Sequence, residues 1–204
     1  MNEDSYHTIK SKAVAEFKDR GSKFIAIAFP IITTNDFKVK LKAIKEEHPK
    51  ASHFCFAYRL GTDGIIFRYT DAGEPSGSAG KPILNQIDSF GVTNIALVVT
   101  RYFGGSLLGI PGLINAYKTS ASLVLQTSHK IKMPILVNYI LQFNYTKMNE
   151  VMIQIKKYNC VVLKKESTLF CEMNIGIQKS NQEICLLRFK EITGLSIEKE
   201  STKK

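Results

Sequence analysis

Between residues 52 and 60 apolar and polar types alternate, so an extended segment places Phe54, Phe56, Tyr58 and Leu60 on one face and His53, Cys55, Ala57 and Arg59 on the other. The aromatic face reads as core, and the opposite face as a place for a site. Upstream, residues 8–18 and 22–32 read as two strands joined by the turn Asp19-Arg20-Gly21. Residues 35–47 carry Phe37, Leu41 and Ile44 at helical spacing and stop before Pro49. Downstream come a strand at 64–70, a Gly/Ser-rich loop at 71–80, a helix over 81–90, a buried strand at 94–102 and a helix over 111–127.

The pattern restarts after the polar, proline-terminated segment Thr127–Pro134, which reads as a linker. Ile135, Val137, Tyr139, Leu141, Phe143 and Tyr145 alternate as a strand, and Met148, Val151, Met152 and Ile155 form a helical stripe. Two strands follow, the second with Leu169, Cys171, Met173, Ile175 and Ile177 facing one way. A helix at 181–193 and a short strand at Leu195–Glu198 complete the order βαββαβ, which predicts a ferredoxin-like domain. The predicted fold class is therefore α+β in two domains, 1–130 and 134–200.

Composition changes this picture in two ways. The net charge of +10, spread over both halves, favours a polyanionic partner such as RNA or a ribosomal surface. The four cysteines, Cys55, Cys160, Cys171 and Cys185, lack CxxC spacing and read as reduced thiols. No apolar run approaches the ~18 residues of a membrane span, and the start of the chain has no basic region ahead of an apolar stretch. The expectation is a cytoplasmic protein that meets no membrane.

Candidate chemistry gathers in two glycine loops. In Asp71-Ala72-Gly73-Glu74-Pro75-Ser76-Gly77-Ser78-Ala79-Gly80-Lys81-Pro82, free N–H groups at a helix start, with Ser76, Ser78 and Lys81, could hold a phosphate or carboxylate. The competing reading makes Ser76 or Ser78 a helix cap and Pro82 the first helical residue. Asp71 and Glu74 would repel an anion unless Mg²⁺ or a neighbouring Arg offsets them. The loop lacks P-loop spacing.

The second loop is Thr100-Arg101-Tyr102-Phe103-Gly104-Gly105-Ser106-Leu107-Leu108-Gly109-Ile110-Pro111-Gly112-Leu113. Here Arg101 could grip a phosphate and Tyr102 stack on a base; equally, Arg101 could pair with Asp71 or Glu74 and Tyr102 lie in the core. His48, His53 and Cys55 supply no fourth zinc ligand, and a Cys55 nucleophile served by His53 would need attack geometry that neighbours two apart on a strand rarely reach. The exposed face expected in the second domain, with Asn138, Gln142, Asn144, Glu172 and Asn174, lacks the aromatic pairs with which an RRM stacks bases.

Four motifs in this order resemble the IMPACT family, as represented by its bacterial members: Phe17 with Gly21-Ser22-Lys23-Phe24-Ile25-Ala26, His48-Pro49 through His53-Phe54-Cys55-Phe56-Ala57-Tyr58-Arg59, Asp71 through Gly80, and Thr100-Arg101-Tyr102-Phe103-Gly104-Gly105. The resemblance implies an N-terminal α/β sandwich like the second domain of a small-subunit ribosomal protein, followed by a ferredoxin-like domain. It also implies a link to translation, since eukaryotic members regulate translation with the help of an added N-terminal domain. Ala72, Pro111 and Asn115 depart from the family pattern, where a second acidic residue, a glycine and an arginine are common. Lys23, His53, Arg59, Glu74, Arg101 and Tyr117 keep it, and with Asp71, Ser76, Ser78, Lys81, Tyr102, Gly104 and Gly105 they are the candidate ligand-binding residues.

Three functions follow as alternatives. The leading one is a non-enzymatic module that binds RNA or the ribosome, with no cofactor. The second is a small-molecule enzyme of phosphoryl-transfer type, in which Lys23, Arg59 and Arg101 hold phosphate and Glu74 holds Mg²⁺ or acts as base. The third is a protein-interaction module whose polar motif residues form an internal network.

Overall fold

A computed structural model describes residues 4–167 and 170–200; Leu169, expected on the inner face of a strand, lies outside them. The chain divides into two compact units, one of Tyr6–Met133 and another running from Pro134 and taking in Ser5.

From Ser5 to Pro134 the strands are β1 (Ser5–Ile9), β2 (Ala13–Asp19), β3 (Ser22–Pro30), β4 (His53–Leu60), β5 (Ile66–Thr70), β6 (Ile95–Tyr102) and β7 (Lys130–Pro134), with helices α1 (Thr34–Glu47), α2 (Gly80–Phe90) and α3 (Gly109–Thr127). Five strands form an antiparallel sheet in the order β2-β3-β6-β4-β5. α1 starts at a capping box in which Thr33 Oγ1 accepts the Asp36 N–H while the Asp36 carboxylate accepts the Thr33 N–H.

Both faces of the three central strands, β3, β6 and β4, are buried, whereas the edge strand β5 is largely exposed. Phe37 and Ile44 of α1 cover Ile27, Phe29, Phe56, Tyr58 and Val98 on one side. α2 and α3 cover Phe24, Ala26, Cys55, Ala57, Leu97 and Val99 on the other. The face opposite the aromatic stripe is thus core as well, and small side chains there let the two helices approach. Only the strand ends on this face are left for a site.

Two local expectations are corrected. Residues 8–18 are not one strand: β1 leaves the main sheet and pairs with β7 in a separate two-stranded sheet. Residues 127–134 are accordingly no open linker, because they finish α3 and supply β7. The pairing partners lie at opposite ends of the unit in sequence, so local periodicity carries no sign of them.

The second unit contains β8 (Leu136–Phe143), α4 (Met148–Lys157), β9 (Val161–Ser167), β10 (Cys171–Gln178), α5 (Gln182–Lys190) and β11 (Ser196–Lys199). Its sheet order, β11-β8-β10-β9, is antiparallel and ferredoxin-like, as the order of elements predicts. Tyr139, Leu141, Met173, Ile175, Val151 and Phe189 lie in its core. Asn138, Gln142, Glu172 and Asn174 fall outside that core; the Gln142 amide donates to Glu172 at 2.9 Å. Among the described residues no helix is long and apolar enough to cross a membrane.

Candidate functional site

The β4–β6 register sets His53 opposite Arg101, and the β3–β6 register sets Phe24 opposite Arg101. Alternation then divides the motif residues between the two faces. Arg101 points toward α2 and α3, whereas Lys23 and Tyr102, a cross-strand pair one step further on, point the other way. Tyr102 accordingly meets the residue that caps α1's C-terminus, with its hydroxyl 2.8 Å from His48 Nδ1, and Lys23 Nζ pairs with Glu16 at 2.8 Å. The structure therefore does not bring Arg101 and Tyr102 together in one cradle.

On the helical face a closed chain of polar groups lies under the Asp71–Gly80 loop. Arg101 Nη1 donates to Glu74 Oε1 at 2.7 Å, and the Tyr117 hydroxyl donates to the same oxygen at 2.7 Å. The side chains of Arg101 and Glu74 are only 6% and 3% exposed. The Cys55 thiol donates to the Asp71 carbonyl at 2.9 Å, and its sulfur lies 3.3 Å from the Tyr117 hydroxyl. Burial pushes this thiol up to about 12 from an ordinary value of 9.0, the nearby Glu74 and Asp71 carboxylates adding to the effect. Burial also pushes the Tyr117 phenol far above its usual range. Cys55 therefore stays protonated and is no nucleophile, and His53, whose Nδ1 donates to the Ala72 carbonyl at 3.0 Å, does not serve it as a base.

The helix start expected to receive an anion is filled from within the chain. Asp71 Oδ1 accepts the N–H groups of Ala79 and Gly80 at 2.9 and 2.8 Å, and Oδ2 accepts that of Gly77 at 2.9 Å. The carboxylate sits where a phosphate would, and is favoured there for the same reason. Neither serine caps α2: Ser78 is buried with its hydroxyl donating to the Pro75 carbonyl at 2.6 Å, Ser76 is exposed on the loop, and the N-cap is Ala79. Lys81 lies over the Tyr69 ring at 5.7 Å.

Arg59 is not part of this assembly. It faces Ile95, at the end of β4 far from His53, so about 20 Å of strand separates the two. There it donates to the Asp88 carboxylate of α2 and, at 2.6 Å, to the Gly64 carbonyl. Among the described residues no three His, Cys, Asp or Glu side chains gather as a metal site.

Gly104 and Gly21 lock the second loop onto the β2–β3 turn. A Cβ on Gly104 would sit 1.9 Å from the Gly21 carbonyl carbon, so only glycine fits. The Gly104 N–H donates to Ser22 Oγ at 3.3 Å, and Ser22, wholly buried, also lies 3.5 Å from Arg101 Nη2. Gly105 turns the chain with a φ of +87°. Pro111 falls in the first turn of α3, where no intrahelical bond needs its N–H, and Asn115 is exposed on the same helix.

Sequence reasoning missed two features. Ser22 is the buried post that joins both glycine turns. The braced segment also holds apolar side chains outward: Phe103 is 49% exposed, Leu107 84%, Ile110 53% and Ile114 39%. The only trace of this surface in the sequence is the unusual density of large apolar residues inside a glycine loop. Arg20 lies beside it, donating to the Leu108 carbonyl at 3.2 Å, and Lys118 follows Ile110 and Ile114 at helical spacing on the exposed side of α3.

Residues 20–125 match the Impact N-terminal domain, which covers more than half of the chain. The chain belongs to the IMPACT family. It is 32% identical over 183 residues to an IMPACT family member of Haemophilus influenzae, covering 87% of each protein. It is 39% identical over 118 residues to the IMPACT family member YvyE of Bacillus subtilis; that match takes in 58% of this chain and spans only 54% of the relative. A crystal structure described as that of a hypothetical protein, 24% identical, superposes with a TM-score of 0.80 over 98% of this chain and all of the other, and shows the same fold.

Proposed function

We propose that this IMPACT-family chain is a non-enzymatic binding module of the translation apparatus, and that it contacts RNA or the ribosome through the Phe103–Lys118 surface of its first unit. The observation that carries this reading is the internal satisfaction of the motif. Glu74 Oε1 is spent on Arg101 and Tyr117, and Asp71 on the start of α2, so the groups that a phosphoryl-transfer enzyme would turn toward substrate face each other instead. The brace holds outward an exposed Phe103 ring, and Arg20, at the Leu108 carbonyl, and the exposed Lys118 of α3 flank the same segment. An exposed ring on a segment that also carries cations suits an unpaired base and its phosphates, and the net charge of +10 supports association through counterion release.

The test is binding of the purified chain to ribosomes and to structured RNA across a salt series, beside a Phe103→Ser/Leu107→Ser variant. Salt-sensitive binding that the variant loses, at unchanged thermal stability, is the expected result. Undetectable or salt-independent association of the unmodified chain would overturn the reading. A rise in melting temperature with a nucleotide and Mg²⁺ would favour the enzymatic alternative instead.

A further inference from the structure

Two thiols of the second unit face one another, far in sequence from every motif above. Cys160 ends the turn between α4 and β9, just after Asn159 with its φ of +51°, and its N–H donates to the Ile155 carbonyl at 2.9 Å. Cys185 lies within α5 and is completely buried. Their sulfurs are 3.4 Å apart, and Cys160 is the partly exposed member of the pair. Each is held by a separate element, so their approach is a product of the fold and not of chain proximity.

We propose that Cys160 and Cys185 are a redox site, in which Cys160 reacts with a hydroperoxide and Cys185 resolves the product to an intramolecular disulfide. Accessibility and charge assign the roles. A Cys160 thiolate receives the S–H of Cys185, and this hydrogen bond holds Cys160 below the ordinary thiol range. The same contact, followed by burial, pushes Cys185 up. Cys160 is the sulfur that solvent can reach, and so the one that a hydroperoxide meets first.

In the first step the Cys160 thiolate attacks one peroxide oxygen and the O–O bond breaks. Alkoxide or hydroxide leaves and takes up a proton, and Cys160 becomes a sulfenic acid, oxidised by the two electrons that the peroxide gains. Cys160 is then neutral, so the charge that held the Cys185 proton is gone. Cys185 gives its proton to the departing hydroxyl, the S–S bond forms as the S–O bond breaks, and water leaves. Two thiols and one hydroperoxide yield a disulfide, an alcohol or water, and a further water. Forming the bond closes the two sulfurs from 3.4 Å to the bonded separation of about 2 Å.

The bond would tie the start of β9, an edge strand of its sheet, to the middle of α5, across a sequence separation of 25 residues. Such a cross-link restricts the unfolded chain and stabilises the unit. Cys55 and Cys171, both buried, serve as internal controls.

The experiment treats the full-length chain with hydrogen peroxide, alkylates the remaining thiols and maps the cysteine peptides by mass spectrometry. The expected product is a Cys160–Cys185 cross-linked peptide, with Cys55 and Cys171 still alkylated, reversal by dithiothreitol, and a melting temperature several degrees higher in the oxidised form. Cys185→Ser should leave a Cys160 sulfenic acid that dimedone captures, while Cys160→Ser should protect Cys185. Mapping of the unmodified chain decides the matter even if a variant fails to fold. Full alkylation of both residues after peroxide, oxidation of Cys160 to sulfinic acid without a cross-link, or a Cys160–Cys160 link between two chains would each overturn the proposal.

Discussion

Glu74 Oε1 and Arg101 Nη1 meet at 2.7 Å in a setting from which water is almost excluded. Neither charge has solvent to fall back on, so removing one leaves the other buried and uncompensated. Glu74→Ala and Arg101→Ala are each expected to destabilise the chain by about 3–5 kcal/mol, with the double variant losing less than the sum. Chemical denaturation of the four proteins tests this, and single losses below about 1 kcal/mol would show that the pair is not the brace of these loops.

Asp71 makes a different kind of contact, a carboxylate set against three N–H donors at the α2 start. Asp71→Ala is expected to cost about 1–2 kcal/mol. It also vacates an anion position, so inorganic phosphate should raise the melting temperature of the variant more than that of the unmodified chain. Equal responses to phosphate would mean that the donors do not form a site even when freed.

Neighbouring glycines of the second loop should behave unequally. Gly104→Ala drives a methyl group into the Gly21 backbone and is expected to cost at least about 3 kcal/mol. Gly105→Ala meets no atom within 4 Å and bears only the strain of a positive φ, about 1–2 kcal/mol. Comparing their denaturation midpoints checks the close approach of the two turns, which reversal of this order would contradict.

Cys55 gives a pH dependence of known sign. Its folded value, about 12, lies above the ordinary 9.0, so the native state keeps a proton that the unfolded chain releases. The stabilisation is complete below about pH 9 and is lost as pH rises toward 12. Melting temperatures of the unmodified chain and Cys55→Ala should therefore converge across that interval. A constant difference between them would show that the thiol titrates alike in both states.

Much of the candidate site was legible as composition and little of it as geometry. The notion that Arg101 pairs with Glu74 was available from residue types, because a buried guanidinium requires a carboxylate. Its placement opposite Phe24 and His53 depends on strand register, which local sequence does not contain. Arg59 misleads for the same reason: it shares a face with His53 but stands at the far end of the strand.

By itself the sequence determined the two-unit order, the helices and most strands, the ferredoxin-like second half and the family, because periodicity and motif spacing are properties of neighbouring residues. The tertiary structure alone decided that β1 pairs with β7, that Asp71 fills the helix start prepared for an anion, that Arg101 and Tyr102 part to opposite faces, and that Cys160 meets Cys185. Each of these is a contact between distant segments, fixed by register and packing. No pattern along the chain encodes which distant partner a strand edge, a helix end or a thiol will find.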